Sequence, residues 1–287
     1  MPEDGGHSKT FKNIRILKNT RHTRRVTRNV YNDITPLNKL AEIPNYASYF
    51  ILIEPQQIYA PYRKASLVQI RTIHGGQRMS EYIMNVEKLL TNWISIQIHL
   101  AEGLRILHSR NIVYGDFNFD NIVIDDKNIP LLIDFGDCCT LMKDNSYFNP
   151  DSDISPPELD YVNSTLFPNN GHSIMKEIYK KKQILHEIEE VFPSRENVLS
   201  ELLNFADRYS ESTFKNYNTA SDMWAFGCEF FKIYMMLLTI PIVSYSEMYQ
   251  KNHIAQMRIL RGLLHPDPRK RLTVDELLIE LYMWRMS

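Results

Sequence analysis

"NIVYGDFNFDNIVI", residues 111–124, decides how this chain is read. Asp116 is followed five residues later by Asn121, and runs that read as buried strand flank both. A second carboxylate, Asp134, ends the strand "LLID" and precedes Phe135-Gly136. The turn "DDKN" (125–128) joins "NIVI" to "PLLIDF" as a hairpin, so Asp116, Asn121 and Asp134 are expected at one mouth. An amide and a carboxylate offering oxygen ligands, with room for phosphate oxygens and water, suit Mg²⁺. A further carboxylate beside them can accept or orient the proton of an attacking hydroxyl. A lone Asp near a turn is ordinarily a local cap. Two acids and an Asn at these spacings point instead to phosphoryl transfer, which needs charge neutralisation and a positioned nucleophile.

The rest of the chain is compatible with such an enzyme. Its 287 residues are enough for one large domain or two lobes with a sizeable core. Apolar residues at 44% and charged residues at 23% are ordinary globular composition. A net charge of −1 gives the whole molecule no electrostatic reason to bind nucleic acid or membrane. Cys138, Cys139 and Cys228 are too few and too oddly placed for a disulfide framework, so a reducing, cytoplasmic setting is expected. The first residues lack the apolar core of a signal peptide. The apolar stretch "FFKIYMMLLTIPIVSY" is interrupted by Lys232 and Pro241, and reads as a buried helix and its exit.

Along the chain, "YFILIEP" (49–55) and "LVQIRTI" (67–73) read as strands, and "HGGQRMSEYI" as a Gly-Gly turn running into helix. Apolar residues recur at helical spacing from Leu90 to His108. "SIMKEIYKKKQILHEIEEVF" (173–192) reads as one amphipathic helix, and Pro193-Ser194 offers an N-cap for "RENVLSELLNFADRY". Thr273 and Glu276 stand at capping-box spacing before the last helix. A strand-rich beginning and a helix-rich end predict an α+β chain with segregated lobes. From Lys9 to Arg28 there are eight Lys or Arg and no acid. With Phe11 its one Phe, Tyr or Trp, this run offers no series of interleaved aromatics for base stacking and reads as a solvated or phosphate-facing surface, not a nucleic-acid site.

With these residues in hand, the chain resembles the eukaryotic-type protein kinases of the Ser/Thr kind. "YGDFNFDN" stands where that family has its catalytic loop, and "DFG" follows at the expected distance. "SPPELD", "SDMWAFG" and "LLHPDPRKRLTVDELL" resemble three further landmarks of the family, in the right order. The resemblance implies a bilobal fold, with a reduced β-rich N-lobe over residues 1–73 and a helical C-lobe over 74–287, and ATP with Mg²⁺ in the cleft. It implies Asp116 as catalytic base and Asn121 and Asp134 as the Mg²⁺ ligands. Asn118 takes the place of a lysine near the γ-phosphate and joins Asp116 in the catalytic set. Lys18 in "IRILK" becomes the phosphate-binding lysine, with Asp33 opposite it. Ile70 becomes the gatekeeper, with the backbone of Arg71, Thr72 and Ile73 facing adenine, and Val123 between Ile122 and Ile124 the floor of its pocket. Glu158 is expected to pair with Arg271, and Asp222 to brace the catalytic loop.

Departures from the pattern set the expectations for control. No Gly-rich loop of the family's form precedes Lys18, and Gly115 replaces the arginine that reads a phosphorylated activation segment. Tyr114 replaces a histidine and is expected to pack on Phe135. Asp151 stands where the family prefers threonine. The stretch 159–221 is longer than the family's and reads as an insertion packed on the C-lobe or as a docking platform for a protein partner. "YGDFNFDN" also resembles the loop of aminoglycoside and choline kinase-like phosphotransferases, so a small-molecule kinase and a pseudokinase scaffold are the alternatives. Scarce Gly with abundant Ile, Asn, Tyr and Lys, and the trimmed N-lobe, resemble kinases of large DNA viruses.

Overall fold

The computed structural model describes residues 11–14, 40, 42–51, 70–73, 76–135, 139–140, 155–165, 171–192, 197–209, 219–240 and 247–287. Lys18, Asp33, Gly136, Cys138 and Asp151, and most of the basic run, lie outside them. Strand β1 (Phe11–Ile14) pairs antiparallel with β2 (Ile70–Ile73), Phe11 facing Ile73. Of the expected strand at 49–55, residues 49–51 are described, and Phe50 makes a single parallel bridge to Leu132.

Strand β3 (Gln77–Arg78) leads into the single helical turn α1 (Met79–Tyr82) and then the long helix α2 (Val86–His108). Gly76 precedes β3 at φ 132°, and a Cβ there would lie 2.0 Å from the Ile124 carbonyl oxygen, so only glycine lets β3 reach β5. Helix α2 begins where the Asn85 carboxamide accepts the Lys88 N–H at 3.1 Å. Its steps of three and four through Leu89, Trp93, Ile96, Leu100, Leu104 and Leu107 put one continuous apolar stripe in the core.

Four short strands follow: β4 (Ile112–Val113), β5 (Ile122–Ile124), β6 (Pro130–Leu132) and β7 (Cys139–Thr140). β3, β5 and β6 form a three-stranded antiparallel sheet in that order, with Ile122 facing Leu132 and Val123 facing Leu131. β4 pairs with β7. The β5–β6 turn forms as its residues require. The Asp125 carboxylate accepts the N–H groups of Lys127 and Ile129, and Asn128 takes φ 63°.

The remaining described elements are helices: α3 (Pro157–Thr165), α4 (Gly171–Lys181), α5 (Gln183–Val191), α6 (Val198–Arg208), α7 (Thr219–Leu238), α8 (Glu247–Leu263) and α9 (Val274–Met286). The chain is thus α+β and mostly helical, with a small antiparallel sheet. Thr273 and Glu276 form the anticipated capping box of α9. Two boundaries differ from the sequence reading. The helix expected over 173–192 breaks at Lys182, which is extended (φ −89°, ψ 103°), because its ammonium is drawn inward to Asp160. Helix α6 starts after Asn197, not after Ser194, because the Asn197 carboxamide accepts the N–H groups of Leu199 and Ser200.

Helices α4 to α6 do not stand off the molecule. Met175, Ile178, Leu185, Ile188, Leu202 and Phe205 belong to the same buried cluster as Trp224, Phe226, Phe230 and Phe231 of α7. Phe192 stacks near Phe231, 6.0 Å between ring centroids, and Lys270 binds Glu201 of α6 at 2.9 Å. Among the described residues no helix is long and apolar enough to cross a membrane.

Candidate functional site

The loop between β4 and β5 is gripped from below by α7. Asp222, 1% exposed, accepts the Tyr114 N–H with Oδ2 and the Gly115 N–H with Oδ1, each at 2.8 Å. His108 Nε2, at the end of α2, lies 2.9 Å from Oδ2. These two successive N–H groups converge on one carboxylate because the chain turns at the residue between Tyr114 and Asp116. Gly115 makes that turn at φ 82°, in the region where glycine has no steric penalty. Two turns further along the same face of α7, Glu229 accepts the Phe119 N–H at 3.2 Å. Between these anchors the loop alternates. Phe117 and Phe119 point down onto Phe226 and Phe230, at 5.1 and 5.4 Å between centroids, while Asp116 and Asn118 stay half-buried.

Asp116 is held by two amides. Asn118 Nδ2 donates to its Oδ1 at 2.9 Å, and Asn121 Nδ2 donates to its Oδ2 at 2.7 Å and to its backbone carbonyl at 3.1 Å. A carboxylate only accepts, so these contacts fix both amides with nitrogen toward Asp116 and oxygen away. The freed oxygen of Asn118 caps a 3₁₀ turn, Phe119–Asn121, by accepting the N–H groups of Asp120 and Asn121. Asn121 Oδ1 is therefore the amide oxygen left to face outward.

The register of the hairpin brings Asp134 to the same mouth. The Ile133 N–H donates to the Asn121 carbonyl at 2.9 Å, which places Asp134 one residue beyond Asn121's partner. Asp134 is exposed and takes φ 56°, an uncommon conformation for a residue with a Cβ. Tyr114 steadies this corner: its hydroxyl donates to the Ile133 carbonyl, and its ring lies edge-on to Phe135 with centroids 5.4 Å apart. Phe135 in turn meets Phe50 edge-on at 5.6 Å. The anticipated Tyr114–Phe135 packing is therefore present, extended by Phe50.

Of the residues singled out from sequence, Asp116, Asn118 and Asn121 are hydrogen-bonded together, and Asp134 adjoins them through Ile133. Val123 is buried at the middle of β5, opposite Leu131. Ile70, Arg71, Thr72 and Ile73 form β2, paired with β1 in a two-stranded sheet of its own. Lys18 is outside the described residues. Glu158 and Arg271 form a bidentate pair at 2.6 and 3.1 Å, both buried, with Arg271 also bonded to the carbonyls of Ala220 and His265.

No protein-family model matches the chain, and no curated protein matches it.

Among the described residues no cluster of three or more His, Cys, Asp or Glu is arranged to hold a metal. A hard cation at this mouth would rest on Asn121 Oδ1 and the Asp134 carboxylate, completed by water and phosphate oxygens. That sparse protein contribution suits Mg²⁺, which keeps most of its waters. The residues fit the ion, since one amide oxygen is turned outward by the Asp116 bond and one carboxylate is exposed beside it. Beyond the loop a groove of about 360 Å³ opens, lined by Ser80, Asn118, Asp120, Glu229 and Lys232. The sequence reading missed two anchors, His108 and Glu229. Glu229 was legible in principle, as an acid two helical turns after Asp222 in an otherwise apolar helix.

Proposed function

We propose that this chain is an ATP- and Mg²⁺-dependent kinase that phosphorylates Ser or Thr hydroxyls of proteins. The observation that carries the reading is the hydrogen-bonded unit of Asp116 with Asn118 and Asn121, mounted on Asp222 and Glu229 and adjoining the exposed Asp134. Mg-ATP, when bound, supplies the phosphoryl group. Asp116, oriented by two neutral amides, accepts or aligns the proton of the incoming hydroxyl at its Oδ atoms. Asn121 and Asp134 offer the oxygen ligands for the cation, and the groove beside Asn118 gives the acceptor an approach.

The same reading takes the fold as a bilobal kinase-like one. Residues 1–73 would form a reduced N-lobe contributing Lys18 and the strand Ile70–Ile73, and Val123 would lie beneath adenine. Helices α4 to α6 bury their apolar faces against α7, which favours a structural role for the 159–221 stretch over a free docking platform. With Gly115 in the loop, control by arginine-mediated reading of a phosphorylated segment is not available at that position.

The test is transfer of radiolabelled phosphate from ATP to generic acceptor proteins with Mg²⁺, comparing the wild type with Asp116→Ala and Asp134→Asn. Labelling of Ser and Thr that both substitutions abolish supports the proposal. Equal labelling by all three proteins removes the catalytic assignment. ATP consumption with small hydroxylated acceptors alone would move the protein to the small-molecule kinases, and a wild type inert toward both would make it a scaffold.

A further inference from the structure

A second cavity, of about 260 Å³, lies among α2, α7, α8 and α9 and shares no lining residue with the groove at the catalytic loop. Its walls are mainly the rings of Trp93, Tyr234 and Trp284 and the side chain of Leu237, all buried. Gln256, 1% exposed, lines it as well. Trp93 Nε1 donates to Gln256 Oε1 at 2.7 Å, and Gln97 Nε2 donates to the same oxygen at 3.1 Å. An indole N–H can only donate, so the amide has one permitted orientation: Oε1 toward Trp93, Nε2 away. Gln256 Nε2 is buried and has no hydrogen-bond partner. Buried polar groups are nearly always paired, and an orphaned donor on a cavity wall marks a place for an acceptor.

The charge of the lining narrows what that acceptor belongs to. No carboxylate lines the cavity; its basic lining residues are His253, whose ring stacks near Tyr234, and the exposed Arg285, whose guanidinium lies 4.9 Å over the Tyr282 ring. Asn252 Oδ1 accepts the Trp284 N–H at 2.7 Å, leaving the Asn252 amide nitrogen as another donor on the wall. Aromatic faces, inward-facing amide donors and a cation at the mouth together match a flat apolar body carrying an oxygen acceptor. We propose that this cavity is a binding site for a small aromatic carboxylate, its ring between Trp93 and Trp284 and its carboxylate bonded to Gln256 Nε2 and Arg285. The inference does not depend on the kinase reading.

The test uses the full chain labelled with 5-fluorotryptophan, followed by ¹⁹F NMR during titration with 2-naphthoate and, separately, 2-ethylnaphthalene. The three tryptophans provide an internal control, because Trp224 is buried beside Arg271 and is not part of the lining. The resonances of Trp93 and Trp284 are expected to shift with 2-naphthoate while that of Trp224 stays, and the hydrocarbon should bind about tenfold more weakly. Arg285→Ala, at an exposed position, should weaken 2-naphthoate severalfold and leave the hydrocarbon unchanged. Gln256→Met should reduce the preference for the acid, leaving the part that Arg285 supplies. The proposal is overturned if neither resonance responds at millimolar probe, or if acid and hydrocarbon bind alike. The second result would mean that a trapped water already satisfies Gln256. It is equally overturned if Gln256→Met leaves naphthoate binding unchanged.

Discussion

Two buried aspartates do opposite work in this molecule. Asp222 spends its carboxylate on backbone N–H groups of the loop that carries Asp116, with His108 alongside. Asp160, on α3, spends its carboxylate on another side chain: Lys182 Nζ lies 2.8 Å from it, and Ser155 donates at 2.7 Å. Beside the loop that Asp222 holds, Asp116 is half-buried and Asp134 is exposed. Around Asp160 the two described side-chain partners, Ser155 and Lys182, are themselves buried, and the Lys182 ammonium also donates to the Ser155 carbonyl and hydroxyl. The first arrangement holds a loop whose acidic side chains reach the surface, which the kinase reading takes as reactive, and the second ties α3 to the break between α4 and α5. Polar burial alone does not mark a functional site; what separates the two is whether the network ends on an exposed group.

The largest expected effects break that comparison cleanly. On the kinase reading, Asp116→Asn removes the proposed proton acceptor while keeping the loop's anchors, so phosphoryl transfer should fall by about 10²- to 10⁴-fold. Thermal unfolding should move by only a few degrees, since the site is half-buried and its anchors are elsewhere. A loss of structure matching the loss of activity would show that Asp116 belongs to the framework after all. Lys182→Met should do the reverse. It strands the Asp160 carboxylate in the interior, at a cost of about 3–5 kcal/mol in urea unfolding. Adding Asp160→Asn should recover part of that loss, and a single-variant cost below about 1 kcal/mol would dissolve the proposed lock.

The Asp160 network also has a pH signature. Burial raises this carboxyl to about 6 from the ordinary 3.8, although Lys182 and Ser155 both pull it down. The folded state therefore holds the proton more tightly than the unfolded chain. The group's stabilising contribution is complete below about pH 4, declines as the pH rises to about 6, and stays at the lower level above it. The decline amounts to something on the order of 2–3 kcal/mol. It is measured as the difference in unfolding free energy between wild type and Asp160→Asn from pH 4 to 7. A difference that does not change across that range would show that the pair stays ionised throughout.

Local signals made much of this legible beforehand. The β5–β6 hairpin was readable because Asp125 and Asn128 are turn residues for a local reason. The apolar recurrence from Leu90 to His108 announced α2, and Thr273 with Glu276 announced the start of α9. The Glu158–Arg271 pair and the Asp222 brace followed from the family resemblance, not from periodicity. The break at Lys182 was hidden, since apolar spacing continues through Ile178, Leu185 and Ile188. Its cause is an aspartate in another helix, which no window around 182 contains. Asn118 as a capping residue was equally hidden, because the family's pattern supplied a different role for that position.

The smallest predicted effect probes the loop's own geometry. Gly115 sits at φ 82° with its N–H on Asp222 and the proposed catalytic Asp116 immediately after it. In Gly115→Ala the new Cβ crowds the neighbouring carbonyl in that conformation, at about 1–2 kcal/mol. The chain can meet the cost in two ways. If it keeps φ positive, stability falls by that amount and phosphoryl transfer is nearly unchanged. If it relaxes toward negative φ, the N–H leaves Asp222, the Asp116 carboxylate swings off its two amides, and activity falls further than stability. The anchoring of Asp222 on two consecutive N–H groups, reinforced by Phe117 below, makes the first outcome the expected one. A large activity loss with nearly unchanged stability would show that the loop has relaxed off Asp222, and that neither α7 nor the two amides hold Asp116 in place against the added Cβ.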